Sequence, residues 1–231
     1  MRLHRFYVSQ PLGEEVVIDD VSLVKQWIHV FRYAPGDFAI LFNGDGYDHL
    51  YSLVTTSKTS CSLIRTKQSP SYIPKQQLTL CLSLIKKDAF ELAVQKATEL
   101  GVTRIIPMIS TRSQIQNISD SRLTKIAIEA SEQCGRGDIP VLLPPTDIST
   151  ILNDLTDSQL PLCINMGGTP LCDMTHVTSS KELLIFIGPE GGWSSDVLET
   201  MKSSGIESYS LGATVLRAET AAIVAVAVLS I

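Results

Sequence analysis

Residues 183–187 form an unbroken apolar run, Leu-Leu-Ile-Phe-Ile, that stops at Gly188-Pro189. Five residues with no polar break suit a strand covered on both faces, and such strands belong to parallel sheets flanked by helices. Gly191 and Gly192 then let the backbone turn tightly, with no Cβ to hold a ligand away. Ser194 or Ser195 is placed to cap a helix that faces Val197, Leu198 and Met201 inward. The order is buried strand, glycine loop, capped helix. In an open α/β sheet a ligand sits just beyond the carboxyl end of such a strand.

The alternation of strand and helix begins at Leu78 and predicts a mostly parallel sheet with helices on its faces. Leu78, Leu80, Leu82 and Leu84 mark its first strand. Asp88 is expected to cap the next helix with Glu91 closing a capping box, Phe90, Ala93, Val94 and Ala97 as its apolar stripe and Gly101 as its stop. Further strands are expected at 103–109, 141–143, 160–166 and 208–211. Asp120 opens a helix carrying Leu123, Ile126, Ala127, Ala130 and Cys134, closed by Gly135, and Thr146 is expected to cap one carrying Ile148, Ile151, Leu152 and Leu155. The last helix, 218–230, is apolar on every side from Ala221 to Leu229, so it is expected to be buried all round. It is too short to span a bilayer.

Residues 1–72 read as a small β-rich domain, with strands at 16–18, 38–42, 47–56 and 60–65 and a hairpin turn at Asn43-Gly44-Asp45-Gly46. A helix is expected over 21–31, capped by Asp20 and stopped by Pro35-Gly36. Ser69 to Lys75, with two prolines and two serines, is expected to be the linker to a second domain, 73–231. The formal net charge of −5 argues against gripping nucleic acid through overall charge. An RNA partner therefore needs a local basic patch. Arg2, Arg5 and Arg32, with Arg65 and Lys67 beside them, are the candidates in the front domain, and Arg112 and Arg136 in the back. Five scattered cysteines with no C-x-x-C spacing fit reduced thiols of a cytoplasmic protein and neither a metal site nor a disulfide framework. The first residues lack the basic-then-apolar pattern of a secretion signal, and no membrane segment is expected.

Three stretches are expected to face a ligand: Asn165-Met166-Gly167-Gly168, Gly188 to Gly192, and Leu211 to Leu216. No G-x-G-x-x-G follows the first strand of this half, so ordinary dinucleotide binding is disfavoured, and neither glycine loop carries the G-K-[ST] of a phosphate-binding loop. No Gly-x-Ser-x-Gly elbow occurs. Four histidines, three of them in the front domain and His176 alone in the back, give little support to a His-dependent mechanism.

Gly188-Pro189-Glu190-Gly191-Gly192, followed by Leu211-Gly212-Ala213-Thr214-Val215-Leu216-Arg217-Ala218-Glu219-Thr220-Ala221, resembles the SPOUT superfamily of methyltransferases. More narrowly, the chain resembles the family that methylates uridine N3 in small-subunit (16S) ribosomal RNA. Lys96 to Val102, Glu129 to Arg136, and His29-Val30-Phe31-Arg32 with Gly36-Asp37 carry the likeness upstream. The resemblance implies a C-terminal trefoil-knotted α/β domain, an N-terminal PUA-like β-barrel that binds RNA, a homodimer, and a ribosomal RNA substrate within the small subunit. It implies S-adenosylmethionine as cofactor, bound by Asn165, Met166, Ile187, Gly188, Pro189, Glu190, Gly191, Gly192, Leu211, Gly212, Leu216 and Thr220, with Arg217 and Glu190 as the catalytic pair.

The residues suit that chemistry. A sulfonium methyl is already activated, so the protein has mainly to hold donor and acceptor in line. Uridine N3 bears a proton it must lose, and a cation such as Arg217 would stabilise the resulting anion. The other reading of Arg217 is a salt bridge to Glu219 or Glu190 that shapes the loop. The acceptor of the N3 proton is left open by the sequence. Two competing functions remain: 2′-O-ribose methylation by a SPOUT relative, and a non-catalytic RNA-binding assembly factor.

Overall fold

The structure, a computed structural model, describes residues 3–113, 118–174 and 182–230, so Arg2 and His176 lie outside the described residues. The chain divides into two compact units, Met1–Ile73 with Ser131–Asp138, and Pro74–Ala130 with Ile139–Ile231.

In the first unit the strands β1 (Arg5–Tyr7), β2 (Glu15–Ile18), β3 (Phe38–Phe42), β4 (Tyr47–Thr56) and β5 (Cys61–Pro70) form one sheet in the order β1-β3-β4-β5-β2. Alternate residues turn inward, so Phe6, Val16, Ile18, Ala39, Leu41, Tyr51, Leu53 and Leu63 close around a fully buried Trp27. Three-residue β1, parallel to β3, is too short for the sequence pattern to reveal. The strand β5 outruns its expected end: Ser69 pairs with Asp48 and Pro70 with Tyr47, so these two linker residues are strand. Asp20 caps α1 (Val21–Lys25), its Oδ1 accepting from the backbone N–H of Ser22 at 2.8 Å and of Leu23 at 3.0 Å. The coil continues as a π-helical segment, Gln26–Phe31, and stops at Arg32 in the left-handed region (φ 57°), ahead of the expected Pro35-Gly36.

Two of the expected phosphate-binding arginines are spent inside this unit. Arg136 is 1% exposed, with Nε and Nη2 each 2.9 Å from the Asp138 carboxylate. Arg5 pairs with Asp48 at 2.6 Å, donates to the Ser131 and Arg136 carbonyls, and lies 4.4 Å over the Phe42 ring. Arg136 is buried and Arg5 part-buried, and both guanidiniums already have partners within this unit; for the buried Arg136, leaving the charge unpaired would cost about 3 kcal/mol or more.

The second unit is an all-parallel sheet in the order β12-β10-β11-β6-β7-β8. Its elements are β6 (Leu78–Ser83), α2 (Lys87–Glu99), β7 (Arg104–Ile109), α3 (Asp120–Cys134), β8 (Val141–Leu142), β9 (Thr146–Asp147), α4 (Ile148–Asn153), β10 (Gln159–Pro170), β11 (Glu182–Ile187), α5 (Ser195–Ser203), β12 (Glu207–Ser210) and α6 (Ala218–Ser230). The last turn of α3 belongs to the first unit. The central strands β6 and β11 are covered on both faces, as their unbroken apolar runs require. One face packs Leu78, Leu80, Leu82, Leu183, Ile185 and Ile187 against Phe90, Ala93, Val94 and Ala97 of α2 and Ala222, Ala225 and Val226 of α6. The other packs Cys81, Cys163, Leu184 and Phe186 against Ile148 and Ile151 of α4, Trp193, and Met201 of α5. Each such buried Leu, Ile or Phe contributes roughly 1.5–3 kcal/mol relative to exposure, which is what fixes these two strands at the centre.

Local signals fared unevenly. Ser194, not Ser195, caps α5, its Oγ accepting from Val197 N–H at 3.4 Å. The cap of α2 is Lys86, with no side-chain bond, and Asp88 sits within the first turn. Glu91 closes no capping box: its carboxylate takes Nε and Nη2 of Arg122 at 3.1 and 2.9 Å. The cap of α4 is Asp147, not Thr146, which pairs with β7. Within the single chain the final helix buries Ala222, Ala225, Val226 and Leu229 but leaves Val228 43% exposed, so this chain alone does not cover it on all sides. Cys61, Cys81 and Cys163 are buried, whereas Cys134 and Cys172 are exposed.

Candidate functional site

Because the strands are parallel, the carboxyl ends of β10, β11 and β12 open on one edge of the sheet. There the second unit forms a cavity of about 320 Å³. The three expected ligand-facing stretches meet in it: Asn165 and Met166 from β10, Gly188, Pro189, Glu190 and Gly192 after β11, and Leu211 and Leu216 after β12. Ile187 lines it from the strand end, and Arg217 from the residue before α6. Gly191, Gly212 and Thr220 do not line it.

The three walls are shaped by distinct local causes. The ligand-facing stretch 165–168 lies within β10, which runs on to Pro170 past its expected end at Met166 and pairs irregularly with β12 between Ile164 and Thr169. Gly168 is required there, since a Cβ would fall 2.5 Å from the Ser208 carbonyl carbon and oxygen. After β11 the chain turns back with Gly192 N–H bonded to Pro189 O at 2.8 Å, and Gly192 takes φ 68°. Trp193, which the sequence reading passed over, folds under this turn. Its Nε1 donates to Ile164 O at 2.9 Å, and its ring comes within 3.0 Å of where a Gly188 Cβ would stand. The only sequence sign was a lone aromatic after two glycines, which carries no period.

Among the described lining residues Glu190 and Arg217 are the only ionisable ones. Arg217 is exposed, and among the described residues it makes no ion pair, so the salt bridge to Glu219 or Glu190 is not formed. Glu190 is exposed, with Oε1 3.5 Å from Lys86 N. Ile164, Met166, Ile187, Pro189, Trp193 and Leu211 make most of the remaining wall apolar. Nearby titratable groups are held neutral: burial pushes the Cys163 thiol up to about 11, and the hydrogen bond to Glu207 at 2.6 Å, with burial, pushes the Tyr209 hydroxyl up to about 12. Such a site can hold an apolar-bodied ligand by glycine-loop backbone groups and leave one cation for a reacting centre.

A family model described as an RNA methyltransferase domain matches residues 73–230. A protein of Rickettsia conorii named ribosomal RNA small subunit methyltransferase E is 34% identical, over 98% of this chain and 95% of its own length. The chain belongs to the ribosomal RNA small subunit methyltransferase E family. A Bacillus subtilis member of the same name is 28% identical over 90% of this chain and 86% of its own. The crystal structure of the Neisseria gonorrhoeae member, bound to S-adenosyl methionine, superposes with a TM-score of 0.91 at 28% identity, covering 99% of this chain and 97% of that one. The likeness to that structure thus spans the whole chain, the methyltransferase domain covers residues 73–230, and the cavity at the carboxyl edge of its sheet is built from the two motifs that carry the family likeness.

Of the remaining candidates, Arg32 is exposed in the first unit and Arg112 is exposed in the second. Arg112 has carbonyl partners close to the cavity: Nη1 lies 2.8 Å from Gly191 O and 3.5 Å from Trp193 O.

Proposed function

We propose that the chain is an S-adenosylmethionine-dependent methyltransferase acting on N3 of a uridine in small-subunit ribosomal RNA. The observation that carries this reading is the cavity where both family motifs converge and where, among the described residues, a single carboxylate and a single guanidinium are the ionisable lining groups. About 320 Å³ falls within the range of small-molecule sites, and apolar walls with glycine-loop backbone suit a nucleoside-bearing cofactor. When bound, S-adenosylmethionine supplies a methyl group already activated by its sulfonium.

The chain's own residues bind, orient and manage charge. Backbone groups of the 188–192 and 211–216 loops, with Asn165 and Met166, would hold and orient the cofactor beside the acceptor, so that the reaction needs little further ordering. Uridine N3 loses its proton, and the negative charge that its lone pair carries into attack spreads to O2 and O4. Arg217, with no ion pair among the described residues, stabilises that charge. Glu190, the one carboxylate on the wall among the described residues, is assigned the proton.

The finer architecture belongs to the same reading. The second unit is taken as a trefoil-knotted SPOUT domain and the five-stranded sheet of the first as a PUA-like RNA-binding barrel, with Arg32 among its phosphate contacts. The part-exposed apolar face of α6 supports a homodimer. The protein is assigned to the cytoplasm, where its ribosomal substrate is assembled. The test is methylation of small subunits from a strain lacking the endogenous activity, followed by mapping of the modified nucleotide. A methyl group on uridine N3 is expected; one on a ribose 2′-oxygen replaces the base specificity, and no incorporation removes the enzyme reading.

A further inference from the structure

Arg112 has the sequence credentials of a phosphate contact, but its guanidinium is occupied elsewhere. It stands in the turn after β7, which is tied at its root. Ser110 N–H donates to Ser113 Oγ at 2.8 Å, Ser113 N–H to Ser110 O at 2.9 Å, and the Ser110 hydroxyl lies 3.3 Å from that of fully buried Ser83 at the end of β6. From this anchored turn, one nitrogen of Arg112 reaches the carbonyls of both Gly191 and Trp193, at 2.8 and 3.5 Å. Between these carbonyls stands Gly192 at φ 68°. A single cation drawing both carbonyls to one point fixes the left-handed residue between them. Trp193 passes the constraint on, because its indole N–H holds Ile164 O at 2.9 Å while its ring supports Gly188. Ile164, Gly188, Gly192 and Trp193 line the cavity; Arg112 does not.

We propose that Arg112 is a positioning residue which, through Gly191 and Trp193, sets the cofactor-binding wall of the cavity before the ligand arrives. The inference rests on the adenosylmethionine reading above. A diglycine turn has more freedom to lose than any other, so a loop already held in its bound shape spares the ligand that cost. Arg112 therefore acts on affinity for adenosylmethionine from outside the site.

The test is calorimetry with adenosylmethionine on the full chain and on Arg112→Ala, Arg112→Lys, Trp193→Phe and the Arg112→Ala/Trp193→Phe pair, with RNA affinity measured in parallel at several salt concentrations. Losing a charge-assisted hydrogen bond at an exposed position is expected to raise the dissociation constant about tenfold in Arg112→Ala. Arg112→Lys should recover part of this, because an ammonium still donates to a carbonyl. The double variant should bind little worse than the weaker single one, since both act through one loop. The KM for adenosylmethionine should rise more steeply than kcat falls, with the urea midpoint unmoved. Unchanged cofactor affinity in Arg112→Ala, together with weaker RNA binding and a shallower salt slope, overturns the proposal in favour of a phosphate contact. Additive losses in the double variant overturn the route through Trp193. Failure of the unaltered chain to bind adenosylmethionine overturns the functional reading itself, a result distinct from either.

Discussion

Arg217 and Arg136 carry the same guanidinium yet stand at opposite ends of solvent access, and their neighbours explain why. Arg136 is closed over by its own unit and neutralised by Asp138, whereas Arg217 lines an open cavity with no ion pair among the described residues. A guanidinium kept unpaired at a cavity suits charge that appears only during reaction, so its benefit is expected in the transition state. Arg217→Ala should retain the fold and most adenosylmethionine affinity but lower the single-turnover methylation rate by about 100-fold or more. Arg217→Lys should recover only part, since an ammonium lacks the planar fork. A rate for Arg217→Ala within about threefold of the unaltered chain, at saturating RNA and cofactor, would remove it from the mechanism.

Among the elements, those with a long apolar period were legible and those fixed by a single contact were not. The runs of β6 and β11 and the stripe of α2 announce their burial because every residue in them repeats the same instruction. Three-residue β1 exists only because β3 lies beside it, and the end of β5 extends past Arg65 because β4 is there to pair with. The site was legible where glycines and a charged residue share a motif, and illegible at Trp193 and Ala218, which reach the cavity only through the turn of the chain around them. The return of residues 131–138 to the first unit is likewise written in contacts distant in sequence. Capping shows how fine the margin is. Asp147 wins over Thr146 because its Oδ1 takes both Ser149 N–H at 2.9 Å and Ser149 Oγ at 2.7 Å, and these bonds hold its carboxyl below the usual value. A depressed folded value means stability present above the unfolded value and lost as pH falls through the folded one. Asp147→Ala should therefore cost about 1 kcal/mol at neutral pH, and the difference from the unaltered chain should fade in urea titrations below the usual carboxylate range.

For the whole molecule the decisive surface is the outer side of α6. A helix without a polar face is stable only when something covers it, and here Val228 remains 43% exposed with Ile223 and Val224 part-exposed beside it. If a second copy covers that side, sedimentation should give twice the mass of one chain at micromolar concentration. Val228→Lys should then shift it towards one chain. A single-chain mass for the unaltered protein would leave the helix to some other neighbour. The distribution of thiols offers a way to follow the two units. Burial raises the pKa of Cys61, Cys81 and Cys163, so a maleimide at neutral pH should find only Cys134 and Cys172. Mass spectrometry should count two adducts on the native chain and five after denaturation. One of the two exposed thiols belongs to the first unit and the other to the second. The unmutated protein thus comes ready for a donor and acceptor dye, and energy transfer between them would report any hinge that closes when cofactor or RNA arrives.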